Sequence, residues 1–274
     1  SNSIIGQNAT LEEYCDAIAA AGYLASEPGT FSYGLGALLL GRIIEVIWEK
    51  KVGRFVRFSE ICNQKLFSPL NMDTAAFFLD DGDPRTSKIP QLYGAVAKDS
   101  SEKLEVKPYR DCLPNVESFP NTVTTDQYQG FRKCESGDTG SCMTVQDYAK
   151  FYEMLLADGL AADGTKILDS RSVKELTYGK FSGLNRESKI AQAFGLTGAH
   201  ASFNYGWALE PKTDKLPHCN QWSGYANNHG RLYIEEEAYI LVFPQFMAST
   251  PAGFPIGDTL IKEPLVQAFI SEWI

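Results

Sequence analysis

The sequence predicts a mixed α/β fold in which helices pack on an antiparallel sheet. Three observations predict this fold: apolar residues at helical spacing through much of the first two thirds, short aromatic and β-branched stretches after residue 203, and a helical segment at the end. A helical region followed by antiparallel strands and a C-terminal helix implies a helix packed on the sheet. A chain of 274 residues can bury a sizeable core without splitting, so one domain over residues 1–274 is expected.

Capping signals define the predicted helices. Thr10-Leu11-Glu12-Glu13 is a capping box that opens the first helix, which ends near Gly22. Thr144 and Asp147 form a second capping signature. The remaining helices are expected at Gly36 to Lys50, Ser59 to Phe67, Tyr148 to Ala157, and from Asp169-Ser170 to Leu176.

The last third of the chain has the pattern of short strands. Strands are expected at Asn204 to Leu209, Gln221 to Tyr225, Arg231 to Ile234 and Ala238 to Phe246, with Glu235-Glu236-Glu237 as a hairpin turn. A final helix is expected from Leu260 to Ile274, interrupted or begun at Pro264. The segment from about Asp80 to Gly140 reads as a loop-rich lid or insertion.

Composition excludes several classes of function. The net charge of −9 and the pI near 5.0 argue against nucleic acid, whose binding needs clustered Lys and Arg. No apolar run is long enough to span a membrane. Only three histidines occur, without metal-ligand spacing, and no phosphate-binding glycine loop is present, so neither a metal nor a cofactor is expected.

The cellular compartment is left open by the sequence, with two features favouring an oxidising one. Six cysteines are an even number, and three of them, Cys112, Cys134 and Cys142, share a polar segment that a disulfide could brace. Asn8-Ala9-Thr10 is a glycosylation sequon, which has meaning only in a secreted chain.

The run Pro28-Gly29-Thr30, two residues, then Tyr33-Gly34-Leu35 leads into an apolar helix with Leu40-Gly41-Arg42-Ile43-Ile44-Glu45. It resembles the second active-site motif of the penicillin-recognising serine hydrolases, in the branch of class C β-lactamases, DD-peptidases and β-lactamase-like carboxylesterases. Pro69-Leu70-Asn71-Met72-Asp73-Thr74 resembles a connector of the same family. The resemblance implies a β-lactamase/transpeptidase-like fold.

Under this resemblance, Tyr33 takes a proton from a serine during acylation, as general base or proton relay. A phenol can do so only if nearby positive charge lowers its pKa from about 10. Taken alone, Tyr33 is also compatible with a tyrosine that merely buries its ring before a helix. Leu35 stands where many β-lactamases have an asparagine, which favours an ester-like substrate over a β-lactam.

Trp222-Ser223-Gly224-Tyr225 resembles the third motif of the family, which is Trp-x-Gly in its esterase-like members. The resemblance implies that Trp222 and Gly224 line the acyl pocket and that the Tyr225 N–H is half of an oxyanion hole. An ordinary edge strand with a bulge glycine is the alternative. Asn227-Asn228-His229 resembles an insertion at this edge.

The family nucleophile, Ser-x-x-Lys on a helix, does not occur among the 32 residues before Tyr33. The only literal match, Ser100 to Lys103, lies in a charged segment after Tyr33. The resemblance covers about residues 10 to 250 and lacks the N-terminal segment that carries the nucleophile. We therefore expect a hydrolase of a small ester or amide whose serine lies on a missing or separate segment. A catalytically inactive binding or scaffold protein is the alternative.

A sheet without its first strands would leave an edge and an apolar face uncovered. A partner chain or self-association is therefore expected to cover them.

Overall fold

The computed structural model describes residues 9–22, 36–80, 82–97, 104–112, 135–137, 141–179, 202–210, 212, 217–224 and 226–248. Contacts divide the chain into two units. The first comprises Ser1–Pro28, Ser32–Ile89 and Glu117–Phe151, and the second comprises Gly29–Phe31, Pro90–Val116 and Tyr152–Ile274. The predicted combination of helices and an antiparallel sheet is confirmed.

The helices are numbered in chain order. They are α1 (Leu11–Ala21), α2 (Gly36–Val52), α3 (Phe58–Cys62), α4 (Tyr109–Cys112), α5 (Val145–Leu156) and α6 (Ser170–Tyr178). A π-helical turn, Asn63–Phe67, continues α3, and a 3₁₀ turn spans Pro84–Lys88. In the ranges described above, no helix combines the length and the apolar character needed to cross a bilayer.

The strands are likewise numbered in chain order. They are β1 (Tyr93–Ala97), β2 (Leu104–Pro108), β3 (Ser202–Phe203), β4 (Ala208–Glu210), β5 (Cys219–Ser223), β6 (His229–Tyr233), β7 (Ala238–Val242) and β8 (Phe246–Ala248). The helix expected at 260–274 lies outside the described residues.

Helix α1 begins and ends where its local signals predict. The Thr10 hydroxyl accepts the Glu13 N–H at 3.2 Å, and the Glu13 carboxylate accepts the Thr10 N–H at 2.7 Å, which is a complete capping box. Gly22 ends the helix in the left-handed conformation, with φ +66°. Both predicted boundaries of this helix are confirmed.

Helix α2 buries one side, which includes the charged Glu45, and exposes an apolar stripe on the other. Its Leu38 is buried with Leu11 of α1, and a Cβ on Gly41 would lie only 3.2 Å from the Leu11 side chain. The opposite side carries apolar residues that are 37% to 59% exposed: Leu39, Leu40, Ile43, Ile44 and Ile47. We call these five residues the α2 stripe. The apolar stripe of an amphipathic helix normally packs against another element.

Two buried carboxylates hold the start of α3. Glu45 accepts the Phe58 N–H at 3.0 Å, and Glu135 accepts the Ser59 N–H at 2.6 Å. Arg57 forms an ion pair with Glu135 at 2.6 Å. Since the first N–H groups of a helix have no partner within it, these carboxylates act as its caps although they come from distant parts of the chain.

Asp147 joins the start of α5 to the connector that contains Thr74. The Thr74 N–H and hydroxyl both donate to Asp147, at 2.7 and 2.5 Å. The Thr144 N–H donates to the Thr74 hydroxyl at 3.0 Å, and Lys150 lies 2.7 Å from the other Asp147 oxygen. Burial raises the pKa of Asp147, but the hydrogen bonds from Lys150 and Thr74 outweigh burial, so the pKa is lower than usual.

Replacing Asp147 with asparagine is expected to lower the free energy of unfolding by about 2 kcal/mol at neutral pH, because charge-assisted hydrogen bonds are lost. A lowered folded-state pKa stabilises above the ordinary carboxyl pKa of about 3.9, and this stabilisation is lost as the pH falls through the folded-state pKa. Urea unfolding at neutral and acid pH should therefore show a smaller difference between variant and wild type in acid. Asp16→Asn, at an exposed position of α1, is the control. An equal difference at both pH values would contradict this account.

The second unit contains two sheets. The larger has the order β3-β4-β5-β6-β7 and is antiparallel throughout. The smaller has the order β2-β1-β8, in which β1 is antiparallel to β2 and parallel to β8. Strands β1 and β2 and helix α4 all lie within the segment 80–140 that the sequence predicts to be loop-rich.

Two of the predicted strands differ from the observed strands. The segment 204–209 contains a turn, because the Asn204 side-chain oxygen accepts the N–H groups of Gly206 and Trp207 at 3.3 and 3.0 Å. The segment 238–246 divides into β7 and β8 around Pro244, which has no N–H to donate, and Gln245, with φ +51°. The predicted turn between β6 and β7 is confirmed.

Candidate functional site

The end of β5 carries the predicted Trp-x-Gly residues. Trp222 pairs with Gly230 of β6, and Ser223 pairs with His229. On the other side, the ladder with β4 ends where Ala208 pairs with Gln221. Strand β5 is therefore an inner strand at its start, whereas in the described ladders its last two residues pair only with β6. In the described ladders, the edge expected at the Trp222 segment is therefore limited to these last two residues of β5.

The loop after β5 is fixed by hydrogen bonds. The Gly224 N–H donates to the Asn228 carbonyl at 2.7 Å, and the Asn227 N–H donates to the Gly224 carbonyl at 3.0 Å. Asn227 has φ +58°, and its side-chain amide donates to the Phe246 carbonyl at 2.6 Å. A Cβ on Gly224 would make only ordinary contact with Asn228, at 3.6 Å. Packing among these neighbours therefore does not by itself require glycine at position 224.

Trp222 lies on the sheet face that also carries Gly230. Alternation along β5 places Trp222 on the face opposite to Ser223. A Cβ on Gly230 would lie 2.4 Å from the Tyr152 hydroxyl oxygen, so this position cannot accept a side chain without movement. Tyr152 is buried, with the rings of Trp207 and Tyr239 at centroid distances of 5.4 and 5.7 Å. Because Gly230 has no side chain, the Tyr152 hydroxyl can pack directly against this face of the sheet.

The opposite face carries a hydrogen-bonded chain of polar side chains. Ser223 Oγ lies 2.7 Å from His229 Nδ1, and Arg231 Nε donates to His229 Nε2 at 3.3 Å. Arg231 also forms an ion pair with Glu210 at 3.3 Å, and Gln221 donates to the second Glu210 oxygen. We call these five residues the Ser223 network. Direct cross-strand pairing of Ser223 with His229 and of Gln221 with Arg231 places them on one face.

Burial suppresses the ionisation of the groups around this network. It raises the pKa of Cys219 to about 12 and that of Tyr233 to about 12. Burial is the largest single cause and lowers the pKa of Arg231, but Glu210, Cys219 and Tyr233 together outweigh it, so the pKa is raised. Arg231 is therefore a permanent cation, and neither Cys219 nor Tyr233 supplies an anionic nucleophile near neutral pH.

The described cysteines are free thiols with raised pKa values. They are Cys15, Cys62, Cys112, Cys142 and Cys219, and burial is the largest cause of the rise in each. Cys134, which the sequence groups with Cys112 and Cys142, lies outside the described residues. Since the thiolate is the reactive form, the described cysteines are poor candidates for a nucleophile.

The other predicted site residues are not described. Tyr33 and Leu35 precede α2, and Tyr225 follows Gly224. Their roles therefore stay predictions. Among the described residues, no cluster of three or more His, Cys, Asp or Glu could hold a metal ion.

The sequence interpretation missed His229, Arg231 and Glu210. The signal that could have found His229 is the hairpin register, because a loop of residues 224–228 brings Ser223 opposite His229. Treating Asn227-Asn228-His229 as an insertion concealed this pairing.

Comparison with solved structures gives the same fold. Simvastatin synthase LovD from Aspergillus terreus, in a mutant form, matches with a TM-score of 0.60 at 15% identity, over 98% of this chain and 63% of LovD. EstCE1, a hydrolase with promiscuous acyltransferase activity, matches with a TM-score of 0.60 at 19% identity, over 87% of this chain and 57% of EstCE1. The D-amino acid amidase of Ochrobactrum anthropi SV3 matches with a TM-score of 0.60 at 15% identity, over 97% and 65%.

The chain thus spans 57% to 65% of the length of these three structures. No curated protein sequence matches it. The family model named Beta-lactamase matches residues 3–254, which is most of the sequence. This match confirms the family that the Tyr33 and Trp222 segments resemble, and the chain belongs to the Beta-lactamase family.

Proposed function

We propose that this chain forms the shell of a serine hydrolase that cleaves an ester or an amide through an acyl-serine intermediate. Family membership supports the reaction class. The observation that carries the proposal is the end of β5, where Trp222 and Ser223 extend beyond β4 and lead into a fixed loop. A strand end of this kind offers backbone N–H groups and one side wall to a substrate.

Trp222 and Gly224 line the acyl pocket in this proposal. The neighbours of Gly224 would tolerate a Cβ at this position. In this proposal, glycine therefore serves to leave space for the substrate beside Trp222. The Gly224 N–H already donates to Asn228. By its position after Trp222-Ser223-Gly224 in the resembled motif, the Tyr225 N–H is proposed as half of the oxyanion hole.

Tyr33 is the general base or proton relay of the proposed reaction. It receives the proton of the attacking serine during acylation and returns it to the leaving group. The oxygen of serine forms a bond to the carbonyl carbon, and the bond to the alcohol or amine breaks as the tetrahedral intermediate collapses. Leu35, in place of an amide side chain, favours an ester-like acyl group over a β-lactam.

The serine and its lysine are proposed to come from a segment outside these 274 residues. No Ser-x-x-Lys precedes Tyr33, and the one literal match, Ser100 to Lys103, lies outside the described residues. The exposed α2 stripe supports a partner chain or self-association, because contiguous exposed apolar residues often mark an interaction surface.

The alternative is a catalytically inactive binding or scaffold protein with the same shell. The observation that favours it is the lack of Ser-x-x-Lys before Tyr33. The sequences of partner chains distinguish the two proposals. A co-purifying polypeptide or an upstream reading frame with Ser-x-x-Lys favours hydrolysis, and the lack of both favours a binding protein.

The 274-residue chain alone is expected not to hydrolyse p-nitrophenyl acetate or nitrocefin, because it lacks an activated serine. A complex with the segment that carries Ser-x-x-Lys is expected to hydrolyse the ester. Spectrophotometric turnover assays of both preparations check this result. Turnover by the isolated chain that disappears in the Tyr33→Phe variant, or fluorophosphonate labelling of Ser100, would contradict the external nucleophile.

A further inference from the structure

The Ser223 network fixes which nitrogen of His229 carries the proton. Arg231 Nε donates to His229 Nε2 at 3.3 Å, and a guanidinium group has no acceptor to offer in return. Nε2 must therefore present its lone pair. A neutral imidazole has one N–H, so the hydrogen lies on Nδ1.

This tautomer decides the role of Ser223. With the hydrogen on Nδ1, His229 donates to Ser223 Oγ across 2.7 Å, and the serine oxygen is the acceptor. The same nitrogen has no lone pair with which to remove the serine proton. The opposite tautomer would make His229 a base for Ser223, as in a nucleophilic Ser–His pair.

The network is built to keep this orientation. His229 is 3% exposed, and Arg231 and Gln221 are also buried. Glu210 accepts from Arg231 at 3.3 Å and from Gln221, so the guanidinium group is held by an ion pair on its far side. Buried polar groups joined in this way resist reorientation, because hydrogen bonds are stronger in the low dielectric of the interior and costly to break.

We infer that His229, oriented by Arg231 and Glu210, is a positioning residue that holds Ser223 as a hydrogen-bond acceptor at the end of β5. Ser223 is thereby excluded as the nucleophile, and the backbone between Trp222 and Gly224 is held in place for a substrate. The positioning of substrate rests on the proposed function, whereas the tautomer and the role of Ser223 do not.

The test is the tautomer of His229, read from long-range proton–nitrogen correlations of the ¹⁵N-labelled chain at a pH where imidazole is neutral. His229→Gln identifies the signals among the three histidines. The expected pattern is a protonated Nδ1 and a bare Nε2. A proton on Nε2 in the wild-type chain would overturn the inference.

Arg231→Met is expected to shift the tautomer population of His229 towards protonated Nε2, because the donor that selects the lone pair is gone. Lys212→Met, which removes an exposed ion pair with Glu235, is the matched control and should leave the pattern unchanged. Ser223→Ala is a second variant, in which the Nδ1 proton is expected to exchange faster with water. An unaltered pattern in Arg231→Met and unaltered exchange in Ser223→Ala would contradict the inference.

These measurements use the isolated chain and need no turnover. If His229 carries its proton on Nε2 and the assembled hydrolase is active, this inference is overturned and the proposed function is not. If His229 carries its proton on Nδ1 but no assembled form hydrolyses the ester, the proposed function is overturned and this inference is not. Fluorophosphonate labelling of Ser223 would contradict the positioning role directly.

Discussion

Replacing Tyr33 with phenylalanine is expected to lower ester turnover by the assembled hydrolase by about 100-fold or more, the usual contribution of a general base. Phenylalanine keeps the ring but cannot accept or relay the proton of the serine. Steady-state kinetics with p-nitrophenyl acetate measures the change. Because the phenol acts on the reacting proton, the loss should appear in kcat more than in KM.

The matched control is Tyr205→Phe, which removes a hydroxyl from a tyrosine that is 62% exposed. It should leave turnover unchanged. Equal activity of the Tyr33→Phe variant and wild type would remove Tyr33 from the mechanism and leave it as a tyrosine that packs before a helix.

Gly230→Ala is expected to lower the free energy of unfolding by about 2 kcal/mol, as overpacking of a buried site typically does. The new Cβ would lie 2.4 Å from the Tyr152 hydroxyl oxygen and 3.2 Å from a Leu241 methyl carbon. Either the helix residue or the strand must therefore move. Urea unfolding of the purified chain measures the loss.

A double-mutant cycle with Tyr152→Phe identifies the contact, since removal of the hydroxyl should restore part of the stability lost in Gly230→Ala. Gly224→Ala in the same hairpin is the matched control, because its Cβ would meet only Asn228 at 3.6 Å. A strictly additive cycle, or an equal loss in Gly224→Ala, would show that the Tyr152 hydroxyl does not explain Gly230.

Local signals in the sequence predict the helices well. Thr10 with Glu13 and Asp169 with the Ser172 N–H are side-chain caps within three residues of one another, so they are visible in the chain itself. The C-terminal end of α1 is also visible in the local sequence, because Gly22 readily adopts the left-handed conformation that ends the helix.

Long-range pairing is what the sequence does not reveal. The parallel pairing of β1 with β8 joins Tyr93 to Phe246, and no local pattern encodes such a contact. The caps of α3 also come from outside its local sequence, since Glu45 lies 13 residues from Phe58 and Glu135 lies 76 residues from Ser59. The turn over residues 204–207, where a strand was predicted, depends on the Asn204 side chain, and the apolar neighbours of Asn204 conceal it in the sequence.

The same distinction applies to the site. The Trp222 strand end was predictable from a short run of residues, and the structure places Trp222 beyond the last described pair of β5 with β4. The Ser223 network was not predictable, because it depends on cross-strand register between Ser223 and His229 and between Gln221 and Arg231. A one-residue change of register would place these side chains on opposite faces.

The proposed function requires that Tyr33 and the end of β5 act in one active site. Photo-crosslinking tests it most directly, with p-benzoylphenylalanine in place of Tyr33 and the adducts located by mass spectrometry. The account predicts crosslinks to the segment from Trp222 to Tyr225. Crosslinks confined to other parts of the chain, with that segment unmodified, would contradict it.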